Sequence, residues 1–189
     1  MALNDIALCS RALIRLGAAP ITSFNDGTAE SEIAGALYAP VRDALLSSYP
    51  WSFASGQVEL TQLAEAPASD FEYAYQLPND FLRAISAGSS VRGNGARYRI
   101  SRGELHTDYE SILLSYIFRP DEAEFPPFFD MVMITNLAAE FCMPVTESTS
   151  RAEVLSRIAR QELQKARLID AQQDTPKRLM DFTLIDVRD

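Results

Sequence analysis

The residue types that carry most enzyme chemistry are few in this chain of 189 residues, and they lie far apart. His106 is the only histidine, and no local pattern places a nucleophile beside it, as a Ser-His-Asp or Cys-His arrangement requires. We interpret His106 as an ordinary surface contact of a predicted hairpin. Cys9 and Cys142 each lie inside an apolar helical pattern, which indicates buried free thiols. One histidine and two distant cysteines cannot form a zinc site, so the sequence predicts no catalytic residue, metal site or cofactor.

Phosphate-binding and acidic motifs are equally sparse. The patterns GxxxxGK[ST], GxGxxG and GxSxG do not occur. Gly93-Asn94-Gly95 resembles half a phosphate loop, but it lies between two predicted strands, and a hairpin turn explains it better. Residues 121–124, the densest acidic run, read as a solvated loop before a helix.

One local basic cluster stands out in an otherwise acidic chain, and it consists of Arg92, Arg97, Arg99 and Arg102. Arg97 and Arg99 share one face of a predicted strand, because side chains alternate between the two faces. Two interpretations stay open: a solvated hairpin balanced by acidic neighbours, or a hairpin that binds an acidic subunit or DNA in an assembly.

Composition and charge narrow the classes of function. Hydrophobic residues make up 47% of the chain, which excludes disorder along its whole length. No uninterrupted apolar run approaches the roughly 20 residues of a membrane helix, so we expect no membrane partner. The formal net charge of −9 argues against a groove that clasps nucleic acid, although it permits a surface past which double-stranded DNA moves. Asp5 precedes Arg11 and Arg15, the reverse of a secretory signal, which predicts synthesis in the cytoplasm.

Apolar spacing predicts an α+β fold. A period of 3.6 indicates four helices, and alternation between them indicates an antiparallel β-sheet of four or five strands at about residues 52–118. The predicted helices cover residues 2–17, 28–48, 128–143 and 150–174. The sheet is thus inserted between the second and third helices of a helical bundle, and residues 1–174 form a single domain.

Caps and prolines predict where these helices begin and end. Gly17 is a left-handed cap, Pro40 predicts a kink or a restart within the second helix, and Pro144 terminates the third. Residues 150–153 form a capping box that opens the fourth helix. Trp51 is expected to be buried with Phe53 where helices meet sheet.

Residues 175–189 have no helical period, and we name them the arm. Their apolar side chains alternate without a place in the predicted core, so we expect the arm to be extended, mobile in the isolated subunit and ordered on an adjacent protein. The residues expected to bind are Phe182, Leu184, Ile185 and Val187.

Several segments resemble, in order, the head–tail connector (adaptor) proteins of tailed phages, and the tail tubular protein A family in particular. The opening residues 12–17 and 21–26 carry the resemblance first, and Trp51 and the Leu-Pro-Asn-Asp turn at residues 77–80 are its more specific features. The matching segments also include Tyr38 and residues 42–46, 49–54, 73–83, 103–108, 112–116 and 128–139. The resemblance covers about residues 3–145, whereas the last helix and the arm match only in kind.

This resemblance implies a virion structural protein that is not an enzyme. Members of the family form a dodecameric ring below the portal, join the DNA-filled head to the tail and surround the channel of DNA ejection. The implied partners are the portal protein, a downstream stopper or tail protein, further copies of the chain, and passing DNA that is not bound by sequence. The implied location is the head–tail junction of a bacteriophage or of a phage-like particle such as a gene transfer agent.

Two other classes of function stay open. The chain could be a monomeric cytoplasmic binding or regulatory module, or a small enzyme whose site assembles from distant residues. Light scattering distinguishes a module, which stays monomeric, from an adaptor, which associates with its portal.

Overall fold

The computed structural model describes residues 3–68, 70–88 and 95–173. Its helices are α1 (Asp5–Leu16), α2 (Ala29–Ser47), α3 (Pro127–Thr146) and α4 (Thr149–Asp170). Its strands are β1 (Ser55–Glu59), β2 (Tyr73–Gln76), β3 (Phe81–Gly88), β4 (Tyr98–Ser101), β5 (Glu104–Thr107) and β6 (Leu113–Phe118). The predicted α+β fold, with four helices and an antiparallel β insert between the second and third, is therefore confirmed.

The helical core is built around α3. This helix packs against α1, α2 and α4, and its side chains Phe129, Met133 and Phe141 are fully buried. The predicted burial of both cysteines is confirmed, since Cys9 and Cys142 are fully buried free thiols. Burial, with a smaller contribution from Asp5, raises the pKa of Cys9 to about 12, so its thiol stays protonated at neutral pH.

The first two helices begin and end as their residue types dictate. Gly17 ends α1 with φ of 77°, the left-handed conformation that favours glycine, which confirms the predicted cap. Thr28 opens α2, where its hydroxyl accepts from the Ser31 backbone N–H and the Ser31 hydroxyl accepts from the Thr28 N–H. The helix runs through Pro40 without the restart that was one of the two expected outcomes.

The predictions for the later helix ends were partly wrong. Pro144 does not terminate α3, because hydrogen bonding resumes after it: the Glu147 N–H donates to the Met143 carbonyl at 3.0 Å. The capping box at residues 150–153 was also wrong, since Ser148 caps α4 through a bond from the Arg151 N–H to its hydroxyl. That helix ends at Asp170 and not at residue 174.

The β insert consists of two three-stranded sheets, where the sequence suggested one. The first has the order β1-β6-β3, and the second, which we name the hairpin sheet, has the order β2-β5-β4. Backbone hydrogen bonds connect the sheets at two corners. At one corner the Ala96 N–H donates to the Ala87 carbonyl, and at the other the segment after β1 pairs with β2 through bonds from Leu63 N–H to the Ala74 carbonyl and from Gln76 N–H to the Thr61 carbonyl. The sheets enclose an apolar core of their own, separate from the helical one.

Trp51 lies where the second helix becomes the first strand, and its predicted burial is confirmed. The ring is fully buried, contacts Phe129 edge to face at 5.1 Å between centroids, and donates its indole N–H to the Leu45 carbonyl at 3.0 Å. Phe53 is partly buried beside it, at 4.9 Å from the Phe129 ring. These rings join helices and sheet into one packed junction.

The end of α4 is fixed to the same junction. The buried carboxylate of Asp170 accepts from the Ser52 backbone N–H and from its hydroxyl, the latter at 2.7 Å. The Arg167 guanidinium lies over the Tyr49 ring, 5.5 Å from the centroid. α4 therefore ends at the boundary between bundle and insert.

Within the described ranges, α3 is the one helix long and apolar enough to cross a membrane, with a mean hydropathy of 1.3 over its most apolar window. Half of that window is buried against the rest of the chain. A central core helix has the same composition, so its packing against three other helices accounts for its apolar character.

Candidate functional site

The outer face of the hairpin sheet brings together polar residues from all three of its strands. Antiparallel pairing places Arg99 opposite His106 and Ser101 opposite Glu104, while Gln76 pairs with Glu104 on the other side. Because side chains alternate along a strand, these residues share one face, and the intervening Tyr75 and Leu105 point to the apolar core. Arg97, which was expected to share a strand face with Arg99, precedes the first residue of β4.

A tight turn positions the second arginine. Arg102 has φ of 55° and Gly103 has φ of 80°, the pair of positive values that a two-residue type I′ hairpin requires. The antiparallel pairing of β4 with β5 forms a hairpin about these two residues. The turn holds the exposed Arg102 side chain at the end of the sheet, next to the face that carries Arg99.

A loop covers this face and converts it into a cleft. Residues 63–68 lie across the sheet and enclose, together with it, a cavity of about 690 Å³. The loop wall is mainly apolar, whereas the sheet wall carries Gln76, Arg99, Ser101, Glu104 and His106, with Arg102 at the turn. We name this cavity the hairpin cleft.

The four candidate arginines differ in their surroundings. Arg99 and Arg102 are exposed, line the hairpin cleft and form no ion pair with any residue that the structure describes. The Arg97 guanidinium lies over the Phe71 ring instead, 5.1 Å from its centroid, outside the cleft lining. Arg92 falls outside the described residues. The structure thus places two of the four in one site.

The interpretation of His106 as a surface contact was wrong. Its side chain is buried, with 8% of the residue exposed, and its Nε2 lies 3.0 Å from Glu104 Oε2. The middle strand of a three-stranded sheet has neighbours on both sides, and the 63–68 loop lies over this face. The alternation of residues along β5 does not indicate that a loop more than 30 residues away covers this face.

The acidic run at residues 121–124 precedes α3 and exposes Asp121 and Glu124, as the predicted solvated loop requires, but Glu122 is only partly exposed. Residues Glu122–Glu124 form a short 3-10 turn, and Glu122 accepts from the Tyr38 hydroxyl at 2.8 Å and from Arg42 Nη1 at 2.9 Å. Asp43 accepts two hydrogen bonds from the Arg119 guanidinium, at 2.7 and 3.0 Å. We name these five residues the bridging network, because they fix α2 to the segment between β6 and α3.

Hydrogen bonds determine the ionisation of the bridging network. Burial acts to raise the pKa of Asp43, but bonds from Arg119 and Arg42 outweigh it and lower the pKa. Burial likewise acts to raise the pKa of Glu122. Hydrogen bonds from the Tyr38 hydroxyl, a backbone N–H and Arg42 outweigh it and lower the pKa. Both carboxylates are therefore ionised at neutral pH.

The hairpin cleft has the chemistry of a binding site. The guanidinium groups of Arg99 and Arg102, which pair with no carboxylate in the described ranges, can each bind a carboxylate. The apolar loop can pack against aliphatic or aromatic side chains. Among the residues that the structure describes, no three His, Cys, Asp or Glu side chains are grouped so as to hold a metal ion. The other predicted binding residues, Phe182, Leu184, Ile185 and Val187 of the arm, lie outside the described residues.

The chain matches no model of a known protein family and no curated protein.

Proposed function

We propose that the chain is a structural head–tail adaptor, which forms a ring below the portal of a tailed phage or phage-like particle. The observation that carries the proposal is the ordered resemblance of residues 3–145 to the tail tubular protein A family. The ring is dodecameric, joins the DNA-filled head to the tail, and surrounds the channel through which double-stranded DNA leaves.

The positions of the resembling residues support the proposal. Trp51 fills the junction between bundle and insert. The turn at residues 77–80 connects β2 to β3, and the Asp80 carbonyl accepts from the Arg119 N–H at 2.9 Å. Trp51 therefore holds the bundle to the insert, and the turn joins the two sheets of the insert. A ring subunit requires such fixed geometry if the same contacts are to repeat around an axis.

Charge is compatible with a DNA channel. With a net charge of −9, each copy repels the phosphate backbone on balance, so DNA can pass without adhering to the ring. The portal above and a stopper or tail protein below are the neighbours that this role implies.

Complementation of head–tail joining tests the proposal. Portal-bearing heads made without this protein are expected to join no tails, and the purified protein is expected to restore joining. Heads that join tails equally well in its absence would refute the adaptor role. A protein that stays monomeric by light scattering in the presence of portal-bearing heads would favour the binding-module alternative.

A further inference from the structure

The hairpin cleft lacks an assigned ligand, although it has the features of a peptide site. Arg99 and Arg102 are both exposed at the cleft and without ion-pair partners in the described part of the chain. The facing loop contributes Leu63, Ala66 and Pro67, which are apolar. An occupant must therefore present carboxylates to one wall and apolar side chains to the other.

We propose that the hairpin cleft binds the arm of a neighbouring copy of this chain. This inference rests on the proposed ring function. The last nine residues of the arm, 181–189, contain three aspartates among four large apolar side chains. Asp181 and Asp186 flank Phe182, Leu184 and Ile185, so a short stretch offers both kinds of contact that the cleft can make.

The cleft and the arm each carry both signs of charge, which favours the arm over DNA as the occupant. The cleft also contains Glu65 and Glu104, which would repel a run of phosphates. The arm carries the cations Lys177, Arg178 and Arg188 besides its aspartates, so it can complement both signs of charge. A cavity of 690 Å³ accommodates part of an extended chain and not a duplex.

The length and origin of the arm allow it to reach an adjacent subunit. α4 ends at Asp170, which is bonded to Ser52 at the boundary of the insert. The 15 residues of the arm can span about 50 Å when extended. Each copy would donate one arm and accept another, a head-to-tail contact that closes into a ring.

Peptide binding tests the match between arm and cleft. A fluorescently labelled peptide of residues 175–189 is expected to bind the full-length protein, with binding measured by anisotropy. The double variant Arg99→Glu, Arg102→Glu should weaken binding about tenfold or more, since two attractions become repulsions. The control variant Arg157→Glu, Arg160→Glu makes the same charge change on the exposed side of α4 and should leave binding unchanged. Equal losses in both variants, or no loss in the cleft variant, would overturn the proposal.

A charge swap tests specificity further. A peptide with Asp181→Lys and Asp186→Lys is expected to bind the wild-type protein poorly and to regain binding to the cleft variant. A failure to regain binding, with both proteins showing the same circular dichroism and thermal midpoint, would contradict direct pairing.

Mixing full-length variants distinguishes a neighbour's arm from the chain's own. At protein concentrations well above those at which the free chain is mostly monomeric, we expect sedimentation to detect association of the wild type. The cleft variant and the full-length Asp181→Lys, Asp186→Lys variant should each lose this association. Their equimolar mixture should recover it. An arm bound in its own cleft predicts no recovery and no association of the wild type, which would overturn the assignment to a neighbour. Rings that still form on portal-bearing heads with the cleft variant would refute this inference and leave the adaptor function standing.

Discussion

Trp51 is the residue on which the junction of bundle and insert most depends. Replacing it with alanine removes a fully buried ring and leaves the Leu45 carbonyl without its indole donor. We expect Trp51→Ala to lower the free energy of unfolding by about 3–5 kcal/mol, as measured by urea denaturation. Trp51→Phe keeps ring packing and should cost less. A loss below about 1 kcal/mol in Trp51→Ala would contradict a packing role for the ring.

The bridging network should make the free energy of unfolding depend on pH in the acidic range. The lowered pKa values of Asp43 and Glu122 mean that folding favours their ionised forms. Their stabilisation is therefore fully present above the unfolded-state pKa values, about 4, and is lost as pH falls through the lowered folded-state values.

Substitution of Glu122 isolates this contribution. Glu122→Gln should lower the free energy of unfolding by about 1–3 kcal/mol at pH 7, with a smaller difference from wild type at pH 3. Glu124→Gln, on an exposed neighbour in the same turn, should change it by less than about 0.5 kcal/mol. Thermal or urea unfolding at both pH values measures the difference. Identical behaviour of the two variants would show that Glu122 makes no special contribution.

Local sequence patterns predicted the conformation or burial of single residues only where the neighbouring residues determine it. The Gly17 cap, the two buried thiols and the Arg102-Gly103 turn follow from side-chain type and immediate spacing. The burial of His106 and the partners of Glu122 depend on segments far along the chain: Tyr38 is 84 residues from Glu122. The bond from Ser52 to Asp170 spans 118 residues, and nothing in the neighbouring sequence indicates it.

At the scale of elements, periodicity identified the four helices and the β insert but not the division of the insert into two sheets. The alternation of polar and apolar residues along a strand indicates which side chains face a core. It does not indicate which strands pair or where one sheet ends. One corner has a single backbone bond, from Ala96 to Ala87, and the other has the isolated bridge between Gln62 and Tyr75; no sequence pattern marks either contact. The prediction that Pro144 ends α3 was wrong because a proline removes only one backbone N–H donor. The helix continues for two residues beyond it.

The arm is the element whose removal should separate folding from assembly. Among the residues that the structure describes, the two apolar cores are built from side chains between Leu3 and Ala166, and we expect the arm to add nothing to them. Deleting residues 175–189 should therefore leave the thermal midpoint nearly unchanged while abolishing attachment to portal-bearing heads. Differential scanning calorimetry and a head-binding assay measure the two effects. Unfolding of the truncated protein would show instead that the arm belongs to the core.

At the scale of the whole molecule, we expect ring formation to require the portal as a template. The helical core buries large side chains within one chain, so folding does not depend on a neighbour. A charge of −9 on every copy opposes association, most strongly at low salt, where the screening length is about 30 Å at 0.01 M. Docking on the portal raises the effective concentration that each further copy meets. Analytical ultracentrifugation across salt concentrations should show mostly monomer, and a stable dodecamer at micromolar concentration without portal would refute templating.

Electron microscopy of portal-bearing heads incubated with the purified protein tests the adaptor role most directly. We expect a closed ring of twelve copies below the portal, coaxial with the DNA channel, that is absent from heads without the protein. Heads that carry no added density at the portal after incubation with folded protein would contradict it.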